Sequence, residues 1–209
     1  MKNLFEKFCL LFQEPRLFFS LLKVRVNRLF LKKTFINGRM YYYYKGEYYP
    51  EYLNRGNAVS FVKDEALKYC RGKGIDVGAG QWPLYGAIPV REEEKLNAYK
   101  LDIFPDGSLD YVFSSHCVEH LEDWKRAVSL WIKKLKIGGV LFIYAPHKSM
   151  LLWRRGAPWV GLDHKWSPEA EVLEKFISSC GCEIILSQKD RDIYWSFRVI
   201  AVKKGAKSL

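Results

Sequence analysis

The sequence predicts an α/β fold, a mostly parallel sheet with helices packed on it, preceded by a helical and hairpin extension. Three observations carry that expectation. From about residue 57 onward, strand-like and helix-like periodicities alternate, the pattern that places strands side by side in a parallel sheet. A short apolar run, Gly74-Ile75-Asp76-Val77, passes directly into Gly78-Ala79-Gly80, a strand ending in a turn with little side-chain bulk. The residues before about 55 follow other patterns and hold most of the charge. Residues 1–40 carry nine Lys/Arg against two Glu, whereas residues 41–209 carry 25 against 21. The expected division is therefore residues 1–55, a basic amphipathic extension with a small hairpin, and residues 56–209, the α/β domain.

Taken in order, the first 35 or so residues have helical periodicity. Leu4, Phe8, Leu11 and Phe12 share one face, and Pro15 breaks or restarts the helix. After it, Arg16, Ser20, Lys23 and Asn27 form a polar stripe opposite Leu17, Leu21, Leu22 and Leu29. Asn37-Gly38 and Lys45-Gly46 are turn signals, so residues 33–49 read as a hairpin or meander. That segment holds a tyrosine cluster, Tyr41 to Tyr44 with Tyr48 and Tyr49, and Tyr52 just beyond.

The α/β part begins with a helical stripe, Val59, Val62, Ala66 and Tyr69, which Arg71-Gly72 stops. Strands are expected at Gly74–Val77, Ala87–Val90 and Leu109–Phe113. Leu121, Trp124, Val128, Trp131 and Leu135 then repeat at helical spacing, with Lys133, Lys134 and Lys136 near the end and Gly138-Gly139 as the stop. Val140–Tyr144 is a strand, and Ser167-Pro168 reads as the N-cap and first residue of a helix through Leu173, Phe176 and Ile177. Glu183–Leu186 and Ser196–Val202 close the pattern as two strands.

Composition narrows the class. A chain of 209 residues with 49% hydrophobic and 27% charged residues has enough apolar content for a core, which excludes disordered, collagen-like and coiled-coil classes. No run reaches the ~18 apolar residues of a spanning helix. Glu6, Lys7, Glu14, Pro15 and Arg16 interrupt every candidate signal-peptide core. Five cysteines, Cys9, Cys70, Cys117, Cys180 and Cys182, make an odd set without Cys-x-x-Cys spacing, which fits a cytoplasmic protein with buried thiols.

The strand and Gly-x-Gly turn at residues 75–80 is the main candidate for ligand chemistry, since backbone amides there can approach an anion or a polar ligand closely. Gln81, Trp82 and Pro83 follow Gly80, so the full dinucleotide fingerprint is not met, and no Gly-Lys-Ser/Thr makes a P-loop. Four blocks in order resemble the class I S-adenosylmethionine-dependent methyltransferases, of the methyltransferase type 11 kind. Ile75-Asp76-Val77-Gly78-Ala79-Gly80 is similar to motif I. Phe104-Pro105-Asp106-Gly107-Ser108-Leu109-Asp110-Tyr111-Val112 is similar to the family's segment leading into strand 4, and Ser114-Ser115-His116-Cys117-Val118-Glu119-His120-Leu121 to the segment after it. Lys134-Leu135-Lys136-Ile137-Gly138-Gly139 resembles the family's Leu-Lys-Pro-Gly-Gly, with Ile137 where proline is common. The blocks span about residues 57–203.

The resemblance implies a Rossmann-like sheet with an antiparallel C-terminal strand and S-adenosylmethionine as cofactor. Gly78, Ala79 and Gly80 would bring backbone to its methionine and ribose portions, and Asp76 would orient that loop or reach the ammonium through water. Glu92, or its neighbours Glu93 and Glu94, would accept from the ribose hydroxyls, which a carboxylate suits because it accepts two hydrogen bonds. Asp102 with Ile103 would face adenine, and Ser115 and His116 would lie beside the cofactor. The spacing departs from the family: six residues separate Gly80 from Ala87 and about ten separate the second strand from Asp102, too few for ordinary helical crossovers. The early half is expected to be pared down, with an irregular loop containing Trp82-Pro83 in place of a helix.

A hydroxyl acceptor needs a base, and histidine suits that task near neutral pH. Of His116, His120, His147 and His164, the first choice is His116, after strand 4, and the second is His164, in a loop able to cover the site. His116-Cys117-Val118-Glu119-His120 also matches the zinc-peptidase pattern H-x-x-E-H, which requires a helix, whereas here it starts at a strand end; no metal is expected. The expected reaction is O-methylation of a saccharide or glycan precursor, by analogy with enzymes of bacterial surface-polysaccharide biosynthesis, with Trp153, Trp159 and Trp166 suited to a sugar face or a lid. The alternatives are an RNA methyltransferase, favoured by basicity and the tyrosines, and a non-catalytic binding or scaffold module. The basic amphipathic segment 1–36 is a candidate for peripheral contact with the inner face of the cell membrane, or else for docking on the domain or in a homodimer.

Overall fold

The computed structural model describes residues 14–92 and 96–205. The expected face of Leu4, Phe8, Leu11 and Phe12, and the acids Glu93 and Glu94, lie outside the described residues. The chain divides into two compact units. One runs to Gly56 and includes Met150–Lys165; the other comprises Asn57–Ser149 and the residues from Trp166 onward.

In the first unit, helix α1 (Pro15–Leu29) begins at a proline, whose fixed φ and missing N–H suit a first turn. Strands β1 (Lys32–Ile36), β2 (Arg39–Tyr44) and β3 (Glu47–Pro50) form an antiparallel meander. Both connections are two-residue turns with positive φ at their centres, Asn37 and Gly38 and then Lys45 and Gly46, the geometry that matches strand twist in tight hairpins. The tyrosines split by strand alternation: Tyr44 and Tyr49 are buried, while Tyr43 and Tyr48 pair across the strands at 5.0 Å between ring centres. The segment Met150–Lys165 joins this unit through Asn27, whose Nδ2 donates to the Gly156 carbonyl at 2.9 Å, and through Tyr42 edge-on to Trp159.

Those contacts set the orientation of α1, which the sequence left open between docking on the domain and facing outward. The side carrying Ser20 and Asn27 is half-buried and Val24 beside it is buried, while Leu21, Leu22 and Leu29 are exposed. Asn27 supplies a hydrogen bond to the part-buried Gly156 carbonyl, so the side with Val24, Ser20 and Asn27 is where the helix packs, while Arg16 and Lys23 of the polar stripe stay exposed.

The second unit is a six-stranded sheet in the order β5-β4-β6-β7-β9-β8. Its strands are β4 (Gly74–Val77), β5 (Ile88–Val90), β6 (Leu109–Ser115), β7 (Leu135–Pro146), β8 (Cys182–Gln188) and β9 (Ser196–Lys203). β5, β4, β6 and β7 pair in parallel, and β9 runs antiparallel to both β7 and β8. Helix α2 (Val59–Tyr69) lies on one face and helices α3 (Trp124–Lys134) and α4 (Ala170–Ser179) on the other. Strand alternation decides which residue goes where. Ile75, Val77, Val112, Leu141 and Ile143 pack with Val128, Trp131, Leu173 and Ile177, while Tyr111, Phe113, Phe142 and Tyr144 pack with Val62 and Ala66 of α2.

The pared-down crossovers are present. Residues 78–87, between β4 and β5, form turns containing Trp82 and Pro83, and no helix occurs among the described residues from Arg91 to Ser108. Both ends of α3 and the start of α4 differ from expectation, and several strands run longer than expected. Helix α3 is capped by Asp123, which accepts from the Arg126 amide at 3.1 Å, and so begins at Trp124, three residues later than Leu121. It ends at Lys134 instead of Gly138-Gly139, because Leu135 already pairs with Leu109 and β7 then bulges before Val140 meets Tyr111. Gly139 is needed within that bulge: a Cβ there would lie 2.9 Å from the Lys136 carbonyl oxygen and 3.1 Å from that of Leu109. Helix α4 starts at Ala170, not at Ser167-Pro168, since Glu169 is extended and its carboxylate accepts from Lys148 Nζ at 2.7 Å.

The turn Phe104–Ser108 is fixed by charge. Asp106 accepts from Lys134 and Lys133 at 2.8 and 2.9 Å, and those lysines hold its carboxyl down to about 2. The same lysines end α3 at its electronegative terminus, so one ion cluster anchors both elements.

Candidate functional site

Chain direction places the C-terminal ends of β4, β5, β6 and β7 along one edge of the sheet, the position at which open α/β sheets bind ligands. A cleft of about 440 Å³ opens there, lined by Gly78, Val90, Glu92, Asn97, Ala98, Tyr99, His116, Cys117, His120 and Leu121. That volume lies in the range of small-molecule sites, about 300–1,000 Å³.

The Gly78 turn is built by its neighbours. Gly78 N donates to the Val90 carbonyl at 3.1 Å, tying the turn to the end of β5, and Ser114 Oγ donates to the Val77 carbonyl at 3.0 Å, tying it to β6. Gly78 has φ +83°, and an added Cβ would fall 2.5 Å from Cys117 Cβ and 2.6 Å from its Sγ. The backbone therefore presses against the β6 loop as no other residue type allows. Beneath it, Asp76 is buried with Oδ2 accepting from the Leu84 amide at 2.8 Å. Its Oδ1 has no hydrogen-bond partner among the described residues. Burial pushes the Asp76 carboxyl up to about 7, against the opposing pull of the Leu84 amide and the Arg91 guanidinium.

The opposite wall is the loop after β6. His116 has φ +48°, a left-handed conformation uncommon for a residue with a Cβ, and strain of this kind collects at functional sites. Its amide donates to the Tyr144 carbonyl at 2.8 Å and its Nε2 lies 2.9 Å from Ser196 Oγ. Ser196 is fully buried, its amide donates to Asp192 Oδ1, and its hydroxyl donates to the Tyr194 carbonyl at 3.3 Å. With the serine proton directed at Tyr194, the consistent tautomer puts the imidazole hydrogen on Nε2 and the basic lone pair on Nδ1. Asp192 also accepts from the Tyr144 hydroxyl at 2.7 Å, so one carboxylate braces the turn before β9 that holds Ser196.

Glu119 sits between two imidazoles, 3.8 Å from His116 Nδ1 and 4.0 Å from His120 Nε2. It is fully buried, and burial pushes its carboxyl up to about 8. Cys117 is buried as well, and its thiol is pushed up to about 12, which makes it an inert wall group and not a nucleophile. The H-x-x-E-H pentapeptide adopts a strand end followed by a 3₁₀ turn at Val118–His120, so its histidines do not share the helical face that the zinc-peptidase pattern needs.

The structure brings Gly78, Glu92 and His116 together in the cleft wall. Asp76, Ala79 and Ser115 are buried and Gly80 is exposed; none of the four lines it. Asp102 and Ile103 are both exposed and outside the lining, and His164 belongs to the first unit. The lining residues not among the expected site residues are Val90, Cys117, His120, Leu121 and, in a tight turn closed by the Asn97–Lys100 bridge, Asn97, Ala98 and Tyr99. Asn97 Oδ1 accepts from the Tyr99 amide at 2.9 Å, and an asparagine between two short apolar stretches was the available signal. Trp131 Nε1 donates to the Ala98 carbonyl at 2.8 Å, fixing this wall to α3. Trp166 stacks on Trp124 at 4.6 Å and donates to the Val118 carbonyl, so this indole is a packing group of the second unit.

Residues 63–143 match the family model of a methyltransferase domain. No curated protein matches the chain. Solved structures resemble it at low identity. A SAM-dependent methyltransferase of Archaeoglobus fulgidus is 21% identical with a TM-score of 0.54, over 73% of this chain and 97% of that one. A SAM-dependent methyltransferase of Thermotoga maritima, described as a possible histamine N-methyltransferase, is 16% identical with a TM-score of 0.55, over 73% and 92%. The magnesium protoporphyrin IX methyltransferase of Synechocystis, solved with bound SAM, is 14% identical with a TM-score of 0.50, over 73% and 81%. The chain thus has the Rossmann-like fold of SAM-dependent methyltransferases, and its residues 63–143 match the methyltransferase domain.

Proposed function

We propose that the unit from Asn57 onward is an S-adenosylmethionine-dependent methyltransferase acting on a hydroxyl of a saccharide or glycan precursor. The observation that carries the reading is the cleft at the strand ends, with the left-handed Gly78 turn on one wall and the strained His116 on the other. The residues present fit such a cofactor. Gly78 presents backbone to the cleft while packing on Cys117, and the buried Asp76 braces that turn by accepting from the Leu84 amide. Glu92, at the cleft rim, would accept from vicinal ribose hydroxyls, and Asn97 to Tyr99 would flank the base. When bound, the cofactor supplies an electrophilic methyl group on a sulfonium.

The protein's own task is then to hold an acceptor hydroxyl in line and to take its proton. His116 Nδ1 receives it, with Ser196 keeping the ring oriented through Nε2 and Glu119 next to the resulting imidazolium. His120, in the cleft lining close to His116, is a donor and acceptor suited to a polyhydroxyl acceptor. Calorimetric titration with S-adenosylmethionine, followed by methyl-label transfer to sugar-nucleotide, lipid-linked glycan and RNA fractions, tests both levels. Binding with label in a glycan fraction is the expected result. Absence of binding at millimolar ligand would refute the cofactor reading, binding without transfer would indicate a binding module, and label in RNA would replace the acceptor.

A further inference from the structure

We infer that α1 is a docking surface for an anionic lipid bilayer, through the face that points away from its own unit. At 100° per residue, Phe19, Leu22, Val26, Leu29 and the following Phe30 fall within an arc of about 100°. All five are exposed, Leu29 to 79% and Phe30 to 62%. The packing side is the opposite one, where Val24 is buried and Asn27 bonds to Gly156. An exposed stripe of five large apolar residues on one helix face marks a partner surface, because isolated apolar residues on a soluble surface do not line up in this way.

Charge selects the partner. Lys23 borders the stripe on one side and Arg25 on the other, both exposed, and exposed Lys32 and Lys33 follow at the start of β1. No acidic residue occurs from Pro15 to Arg39. Apolar residues flanked on both sides by cations match the cross-section of a bilayer surface, with acyl chains below and anionic headgroups beside them. Nucleic acid would engage the cations and leave the apolar stripe in water. No helix among the described residues is long and apolar enough to cross a membrane, so the contact inferred is one that lies on the surface. This inference stands whether or not the cleft binds S-adenosylmethionine.

The test is co-sedimentation of the full chain with vesicles of phosphatidylcholine alone and of phosphatidylcholine mixed with phosphatidylglycerol. Sedimentation with the mixed vesicles and much less with the neutral ones is expected. Leu22→Glu/Leu29→Glu, at exposed positions, should abolish it with an unchanged melting curve. Lys23→Glu/Arg25→Glu, which leaves the apolar stripe intact, should weaken it by at least about fivefold per charge and reduce its dependence on salt. Failure of the wild-type chain to sediment, or equal sedimentation of wild type and the Leu22→Glu/Leu29→Glu variant, would overturn the inference. So would a vesicle-independent dimer that the same double variant dissociates, which would give the face to a second copy of the chain.

Discussion

Replacing Gly78 by alanine isolates the contact on which the cleft wall depends. Two terms contribute. The left-handed φ of +83° costs an alanine about 1–2 kcal/mol. The new Cβ, 2.5 Å from Cys117 Cβ and 2.6 Å from Sγ, forces a displacement of the kind that costs about 1–3 kcal/mol in packed interiors. Gly138 supplies the control, because its φ is +81° and nothing lies within 4 Å of its added Cβ. Gly138→Ala should therefore cost only the backbone term, and Gly78→Ala about 1–3 kcal/mol more. Since the clash involves both side-chain heavy atoms of Cys117, only Cys117→Gly removes it. The double variant Gly78→Ala/Cys117→Gly should show a favourable coupling of about 1–3 kcal/mol in a double-mutant cycle. Urea unfolding at neutral pH measures all four proteins, with m-values compared so that midpoint shifts report stability. Equal costs at Gly78 and Gly138, or strict additivity in the cycle, would show that the backbone does not press on Cys117 as described.

Asp76 predicts a pH dependence. The unfolded carboxyl ionises near its ordinary 3.8 and the folded one near 7, so between those values the native state keeps a proton that the unfolded state has shed. Stability from this group is full below about pH 4 and declines up to about pH 7; Asp76→Asn should flatten that slope in urea titrations across pH. Glu119, raised to about 8, should leave a further decline that Glu119→Gln removes. His116→Gln should lower methyl transfer by about 10²–10⁴-fold while calorimetry still detects S-adenosylmethionine binding; an unchanged rate would remove His116 as the base. Trp131→Ala should cost about 3–5 kcal/mol by thermal unfolding, since the indole is fully buried. Trp131→Phe keeps much of the packing but removes the bond to the Ala98 carbonyl, at about 1–3 kcal/mol, with weaker ligand binding in the cleft.

Where local chemistry decides the outcome, the sequence was readable. The apolar runs at Gly74–Val77 and Leu109–Phe113 became central strands, and Asn37-Gly38 and Lys45-Gly46 became tight turns, because two or three adjacent residues determine each. The short spacing after Gly80 correctly foretold a crossover without a helix. The orientation of α1 was not readable: its periodicity left Leu21, Leu22 and Leu29 free to dock or to face outward, and the outcome depended on Asn27 meeting Gly156, 129 residues later. Gly138-Gly139 looked like a helix stop for a similar reason, since nothing nearby in sequence reveals that Leu135 pairs with Leu109. In the cleft wall, Gly78 and His116 were legible because they flank strand ends, while Asn97 to Tyr99 are held there by bonds with Trp131 and Asp123, distant in sequence.

The three-residue strand β5 has a consequence for the sheet as a template. Among the described residues it is an edge, paired with β4 alone, and its middle residue is Pro89. Because Gly78 N donates to the Val90 carbonyl, the peptide groups of Val90 face β4, and alternation turns those of Pro89 outward. The outward rim therefore presents a carbonyl and a pyrrolidine ring where a donor would have to be. A strand from another chain finds no N–H to bond at the centre of this edge, so growth of the sheet by accretion is blocked beside the ligand cleft. The opposite edge of this sheet, the seven-residue β8, has no proline, and edge-to-edge growth of the six-stranded sheet should begin there.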